Sequence, residues 1–222
     1  MIERIIVDPL RTNCYIYSSV KNRCIIIDPG GQEQEIISSI DMLNLIPEGI
    51  VFTHGHFDHT SAAGKLKNYY AKRNIDLPLV IHELDKEYLG KTARSMNERD
   101  FKELGLSTLD INQDAFLNLP EADIILHEGD YILNTNLTVI ETPGHTQGSI
   151  CLYGESEHIL FSGDTIFFEG IGRADLPGGD EQTLINSIKE KILILPKDTR
   201  IFPGHGPLTS IERELKGNPF IN

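Results

Sequence analysis

Residues 50–59 read Ile50-Val51-Phe52-Thr53-His54-Gly55-His56-Phe57-Asp58-His59. Four β-branched or aromatic residues make the end of an apolar strand, and the polar run that follows reads as a short turn leading into a helix. A strand that stops in such a turn throws several side chains to one side of a sheet edge. The His-x-His-x-Asp-His spacing therefore presents four metal-competent groups within a few ångströms. A lone histidine in this position would more often be packed or exposed, but four such groups within six positions point to metal binding.

Outward from this segment the chain alternates strand-like and helix-like pieces, which predicts an α/β fold. Upstream, Ile2–Val7, Cys14–Tyr17 and Cys24–Asp28 read as consecutive antiparallel strands, the last closed by Pro29-Gly30-Gly31. A helix from Gln32 to about Leu43 and a strand over Gly49–Thr53 follow. Downstream come a helix from Asp58 to about Arg73 and a strand over Leu79–His82. Between about residues 83 and 128 the pattern weakens into charged, helix-leaning pieces with no clear strand, read as an insertion within a single domain spanning 1–222. Strands are expected again at Tyr131–Asn134, Leu137–Glu141, Ser149–Tyr153, His158–Ser162 and Arg200–Pro203, with helices near Glu181–Leu193 and from about Thr209. Two halves, each with strands before helices, are suggested.

Three further residues share the setting of a strand end running into glycine or proline: His145 in Thr142-Pro143-Gly144-His145-Thr146, Asp164 in Ser162-Gly163-Asp164-Thr165, and His205 in Phe202-Pro203-Gly204-His205-Gly206. Small neighbours let the backbone approach a crowded centre. With the first cluster they make five imidazoles and two carboxylates, a donor set suited to Zn, Fe, Mn or Co and not to Ca or Cu(I). If Asp164 bridges, His54, His56 and His145 serve one ion and Asp58, His59 and His205 the other. Both ions keep an open position, as catalysis requires.

These four motifs together resemble the metallo-β-lactamase fold hydrolases, and within them the glyoxalase II (hydroxyacylglutathione hydrolase) group in its short form. The resemblance runs from about Asn13 to Gly206. It implies a four-layer αβ/βα sandwich with the site along the edge between two sheets, and two divalent ions, Zn(II) foremost with Fe or Mn as alternatives. Many lactamases of this fold carry Arg where His59 stands and Cys where Asp164 stands, and flavodiiron proteins carry Glu in place of His56. Neither pattern is present. Seventeen residues follow His205, too few for the C-terminal helical domain that supplies glutathione contacts in full-length glyoxalase II, so thioester chemistry is better supported than glutathione recognition.

The expected reaction is attack of a metal-bound hydroxide on a thioester carbonyl, with Asp58 as ligand and proton relay. A thiol with a pKa near ~8.5 departs without a strong general acid, and no further acid is evident near the motifs. Arg173, in Gly170-Ile171-Gly172-Arg173-Ala174-Asp175, is a candidate substrate contact or a partner of Asp175. Asp28 is a candidate for orienting a ligand from behind. His82, His127 and His158 lack the strand-end glycine setting and read as structural or exposed, and Tyr69, Tyr70 and Tyr88 as packing. The resemblance also allows an Fe(II) persulfide dioxygenase using His54, His145 or His56, and Asp164. It extends less readily to a non-catalytic metal-binding module or an RNA-processing nuclease.

Composition bounds the partners. Lys and Arg number 20 against 33 Asp and Glu, a formal charge of −13 with eight histidines, which argues against nucleic acid and anionic membranes. The N-terminus carries an acid where a signal peptide carries bases, and no run approaches a membrane span. Cys14, Cys24 and Cys151 have no ligand-like spacing and read as buried free thiols of a cytoplasmic protein. The partner expected is a small-molecule thioester, and oligomeric state is not legible.

Overall fold

The computed structural model describes residues 1–103 and 119–221. Its first sheet has six strands in chain order: β1 (Ile2–Val7), β2 (Thr12–Tyr17), β3 (Arg23–Ile27), β4 (Ile46–Val51), β5 (Leu79–His82) and β6 (Ile124–Leu126). Strands β1 to β3 pair antiparallel, and β3 to β6 run parallel. Five more strands form the second sheet: β7 (Thr138–Glu141), β8 (Ile150–Gly154), β9 (Ile159–Gly163), β12 (Arg200–Pro203) and β13 (Thr209–Ser210), in the order β13-β12-β9-β8-β7. A two-stranded ribbon, β10 (Ile166–Phe167) with β11 (Gly170–Ile171), leaves the end of β9.

Period-two alternation explains how two sheets become four layers. Tyr15, Tyr17, Ile25, Ile27, Val51 and Val80 point toward the second sheet and meet Val139, Leu152, Phe161 and Phe202. The intervening residues Cys14, Ile16, Cys24, Ile26, Ile50 and Phe52 point the other way, onto helices α1 (Glu33–Met42) and α3 (Ala63–Ala71) through Ile36, Ile40, Leu66 and Tyr70. On the far side of the second sheet Cys151, Leu160 and Ile201 pack against Leu184, Ile188 and Ile211. The αβ/βα sandwich expected from the motifs is the one observed. All three cysteines are buried and free, and no helix of the described residues is long and apolar enough to cross a membrane.

The structure differs from the sequence reading in local ways. Strand β4 begins at Ile46 and includes Pro47, which sits where the register with β3 shifts, so its missing N–H interrupts no regular ladder. The helix expected over 58–73 is two helices, α2 (Phe57–Thr60) and α3, because Ala62 N–H donates to Pro29 O at 2.9 Å instead of continuing the helical ladder. Tyr131–Asn134 is a turn with a single bridge from Tyr131 to Thr138. The expectation of no strand between 83 and 128 fails at β6, whose three residues are too few to show a period. Within that segment the described parts also include 3₁₀ turns at Glu83–Tyr88 and Gly90–Thr92 and helix α4 (Ala93–Glu103). The expectation over 104–118 falls outside the described residues. The helix expected over 181–193 is α5 (Glu181–Ser187), capped by Asp180 Oδ1 accepting from Thr183 N–H, and it widens into a π turn over Ile188–Ile192. The last helix, α6, spans Ile211–Gly217.

Candidate metal centre

All seven predicted residues meet at one edge of the sandwich, beyond the ends of β4, β7, β9 and β12. His145 Nε2 lies 3.2 Å from His54 Nε2 and 2.9 Å from His56 Nδ1. Three imidazole nitrogens facing one another repel through their lone pairs unless a proton or cation sits among them. Asp58 Oδ2 lies 3.1 Å from His205 Nε2 and 3.4 Å from His59 Nε2. Between the two groups stands Asp164, with Oδ1 3.4 Å from His59 Nε2 and Oδ2 3.5 Å from His205 Nε2 and 3.7 Å from His145 Nε2.

The donor set fits a metal on evidence independent of the motif. His59 Nε2 and Asp164 Oδ1 are buried, point at each other and have no hydrogen-bond partner. Leaving such atoms unmatched costs about 1–3 kcal/mol each, a cost that a cation between them removes. Among the described residues, His54/His56/His145, His54/His59/Asp164 and Asp58/His59/His205 are trios whose donor atoms lie within 4.8 Å of one another. Close approach is secured by glycine: a Cβ on Gly204 would stand 2.2 Å from Asp164 Oδ1, and one on Gly30 would stand 1.4 Å from Asp58 O.

Electrostatics divide the centre. Burial, reinforced by neighbouring imidazoles, holds His54 and His56 well below the ordinary histidine pKa. Burial also opposes charge on His59, but the carboxylates of Asp58, Asp164 and Asp28 outweigh it and hold the group at about 10. His205 is raised too, since Asp58 and Asp164 overcome its burial. Asp58, buried but faced by His59 and His205, lies well below the usual carboxylate range.

Asp28 takes the supporting position expected of it. Its Oδ1 accepts from Thr53 N–H at 2.8 Å, and its Oδ2 accepts from Thr53 Oγ1–H at 2.6 Å and meets His59 Nδ1 at 3.0 Å. That contact turns Nε2 of His59 toward the centre. For Arg173 the outcome is split. Its guanidinium forms a bidentate pair with Asp175, while its backbone O accepts from His145 Nδ1–H at 2.7 Å. His82 meets Glu141 and His158 meets Asp198, away from the centre.

Three residues escaped the sequence reading. Asp85, buried at the start of the segment taken for an insertion, accepts from Gly55 N–H, Gly148 N–H and Thr146 Oγ1–H, tying the loop of His54 and His56 to that of His145. Tyr88, read as packing, crosses the His56 ring edge-on at 5.6 Å and donates to Asp100 Oδ2 at 2.7 Å. Asp100 in turn lies 3.8 Å from His56 Nε2, so an acid does approach the motifs. Their only signal in the sequence was position after β5, the parallel neighbour of β4. A cavity of 350 Å³ opens in front of the centre, its wall apolar at Leu10, Phe57, Phe101, Phe167 and Leu176.

Residues 7–205 match the model of the metallo-beta-lactamase superfamily. The chain belongs to that superfamily. It is 36% identical over 219 residues to a probable metallo-hydrolase, YqgX, of Bacillus subtilis, covering 99% of this chain and 96% of that one. It is 35% identical to the hydroxyacylglutathione hydrolase GloC of Haemophilus influenzae, over 100% and 98% of the two chains. Among solved structures, the BLEG-1 B3 metallo-beta-lactamase superposes with a TM-score of 0.84 at 33% identity, covering 100% and 99%. TTHA1623 in a di-iron-bound form gives 0.81 at 31%, covering 98% and 99%.

Proposed function

We propose that this metallo-hydrolase superfamily member cleaves a thioester, S-2-hydroxyacylglutathione or a related acyl-thioester. In this reading His54, His56, His145, Asp58, His59, His205 and Asp164 hold two divalent ions, Zn(II) foremost and Fe or Mn otherwise. The observation that carries it is the pair of donor groups on either side of Asp164, with buried donor atoms that have no hydrogen-bond partner and that a cation would satisfy. Bound there, the ions supply a hydroxide at neutral pH and polarise a carbonyl.

The chain's own residues do the rest. The apolar wall of Phe57, Phe101, Phe167 and Leu176 takes the acyl part and keeps bulk water from the carbonyl. Thr12 Oγ1–H donates to Asp58 Oδ2 at 2.7 Å, fixing the carboxylate that takes and passes on a proton at that atom. Burial raises the pKa of Asp100, in the cavity wall. A thiolate needs no protonation to leave, so the reading asks nothing of that group. Similarity to a hydroxyacylglutathione hydrolase over the full length supports the same class.

The test is metal content and turnover on one preparation. Protein purified with its native metal is expected to carry two ions per chain and to cleave S-lactoylglutathione or another acyl-thioester. One iron per chain, oxygen uptake with glutathione persulfide and no thioester cleavage would overturn the reading in favour of the dioxygenase.

A further inference from the structure

A second cavity, of 410 Å³, adjoins the first and shares Leu10 and His205 as walls. Its character differs. Where the first is largely apolar, the second sets Arg4, Arg11 and Asn13 among Ile6, Leu10 and Pro207. In a chain of net charge −13 an arginine with neither an acid nor an aromatic ring to rest on stands out. Arg23, Arg94, Arg99, Arg173 and Arg213 each pair with a carboxylate, and Arg73 and Arg200 cover aromatic rings. Among the described residues Arg4 and Arg11 have no carboxylate within ion-pair distance, and the one side-chain hydrogen bond of either is Arg4 Nη1–H to Gly206 O at 3.3 Å. A guanidinium has five N–H donors, so most of this donor capacity faces open space beside the candidate metal centre.

The structure assigns this pocket, we infer, to the anionic part of the thiol carrier: a carboxylate or phosphate seated between Arg4 and Arg11. The inference rests on the thioester reading and deepens it. Among the described residues, a substrate whose carbonyl lies at the metal centre can extend past the aromatic wall or past Leu10 and His205. An acyl chain gains by desolvation in the first and would strand the arginines in the second. A carrier bearing carboxylates or phosphates gains two charge-assisted contacts in the second. The carrier is thus recognised from strand β1 and the turn after it. Strand β1 holds Arg4 in place by pairing with Tyr15 of β2, and the bridge from Thr12 to His205 ties the turn to the metal centre.

Binding without turnover tests this directly. Three thioethers with the same alkyl group are titrated calorimetrically: S-butylglutathione with its carboxylates, S-butyl coenzyme A with its phosphates, and the neutral S-butyl-N-acetylcysteamine. The Arg4→Gln/Arg11→Gln double variant is expected to lose about tenfold in affinity for one anionic thioether relative to the neutral one, as two exposed charge contacts warrant. Which thioether shows the loss tells carboxylate from phosphate. If the double variant binds both anionic thioethers as tightly as the unaltered protein, the pocket assignment is overturned. Arginine-dependent thioether binding without cleavage of any thioester would remove the proposed reaction and leave the pocket. Cleavage with no arginine dependence would do the reverse.

Discussion

The two sides of the candidate centre are built on opposite principles. His54, His56 and His145 are imidazoles crowded together, and burial holds His54 and His56 well below the ordinary histidine pKa, leaving their lone pairs free to bind. Asp58, His59 and His205 are imidazoles set among carboxylates, and His59 holds a proton up to about pH 10 when no other cation is present. In the first trio His54 and His56 are ready for a metal at neutral pH, whereas in the second His59 must surrender a proton to bind one. A site that looks symmetric as a list of ligands is therefore asymmetric as chemistry.

Removing the shared residue should erase the contrast. Asp164→Asn is expected to abolish loading of the second ion and weaken the first, with activity falling on the order of a thousandfold. Metal analysis and turnover on the same sample check it, and two retained ions would contradict the bridging position. A milder change separates the trios. Asp28→Asn acts directly on His59 Nδ1 and reaches His54 only through Thr53 Oγ1, 3.2 Å from His54 Nδ1, so metal affinity should fall 10- to 100-fold at the Asp58/His59/His205 site and less at the other, a range of ~10–100 being usual for such supports. Equal losses at both sites would show that Asp28 acts on the fold and not on His59.

The mildest test changes only pH. His59 is held at about 10 against an ordinary 6.5, so in metal-free protein its protonation stabilises the fold fully below the ordinary value. That contribution is lost as pH rises through about 10. A metal has to displace this proton, so affinity at the Asp58/His59/His205 trio should climb about tenfold per pH unit between about pH 7 and about pH 9. The His54/His56/His145 trio, in which burial already keeps His54 and His56 neutral, should show no comparable slope. Stepwise titration with a chromophoric divalent ion resolves the two, and parallel slopes would dissolve the distinction.

The local arithmetic of the chain determined a good deal by itself. Four of the seven residues, His54 to His59, were legible because a strand end and one helical turn fix their spacing within six positions. Glycine and proline beside His145, Asp164 and His205 marked three more strand ends, since only small or turn-forming residues allow such approach. The alternation of strand-like and helix-like segments marked the α/β class, and the resemblance carried by the four motifs implied the sandwich. What the sequence could not show is what depends on contacts across the fold. Asp85 lies about thirty residues from Gly55 and sixty from Thr146, and no periodicity links them. Arg173 stands in a suggestive loop, yet its guanidinium turns to Asp175 and its carbonyl to His145. Arg4 and Arg11 look like ordinary surface charges until the β1 turn brings them beside His205. Ligand identity is written in short-range stereochemistry. The protonation of those ligands, their supports and the basic pocket arise only when burial and long-range pairing set each charge among its neighbours.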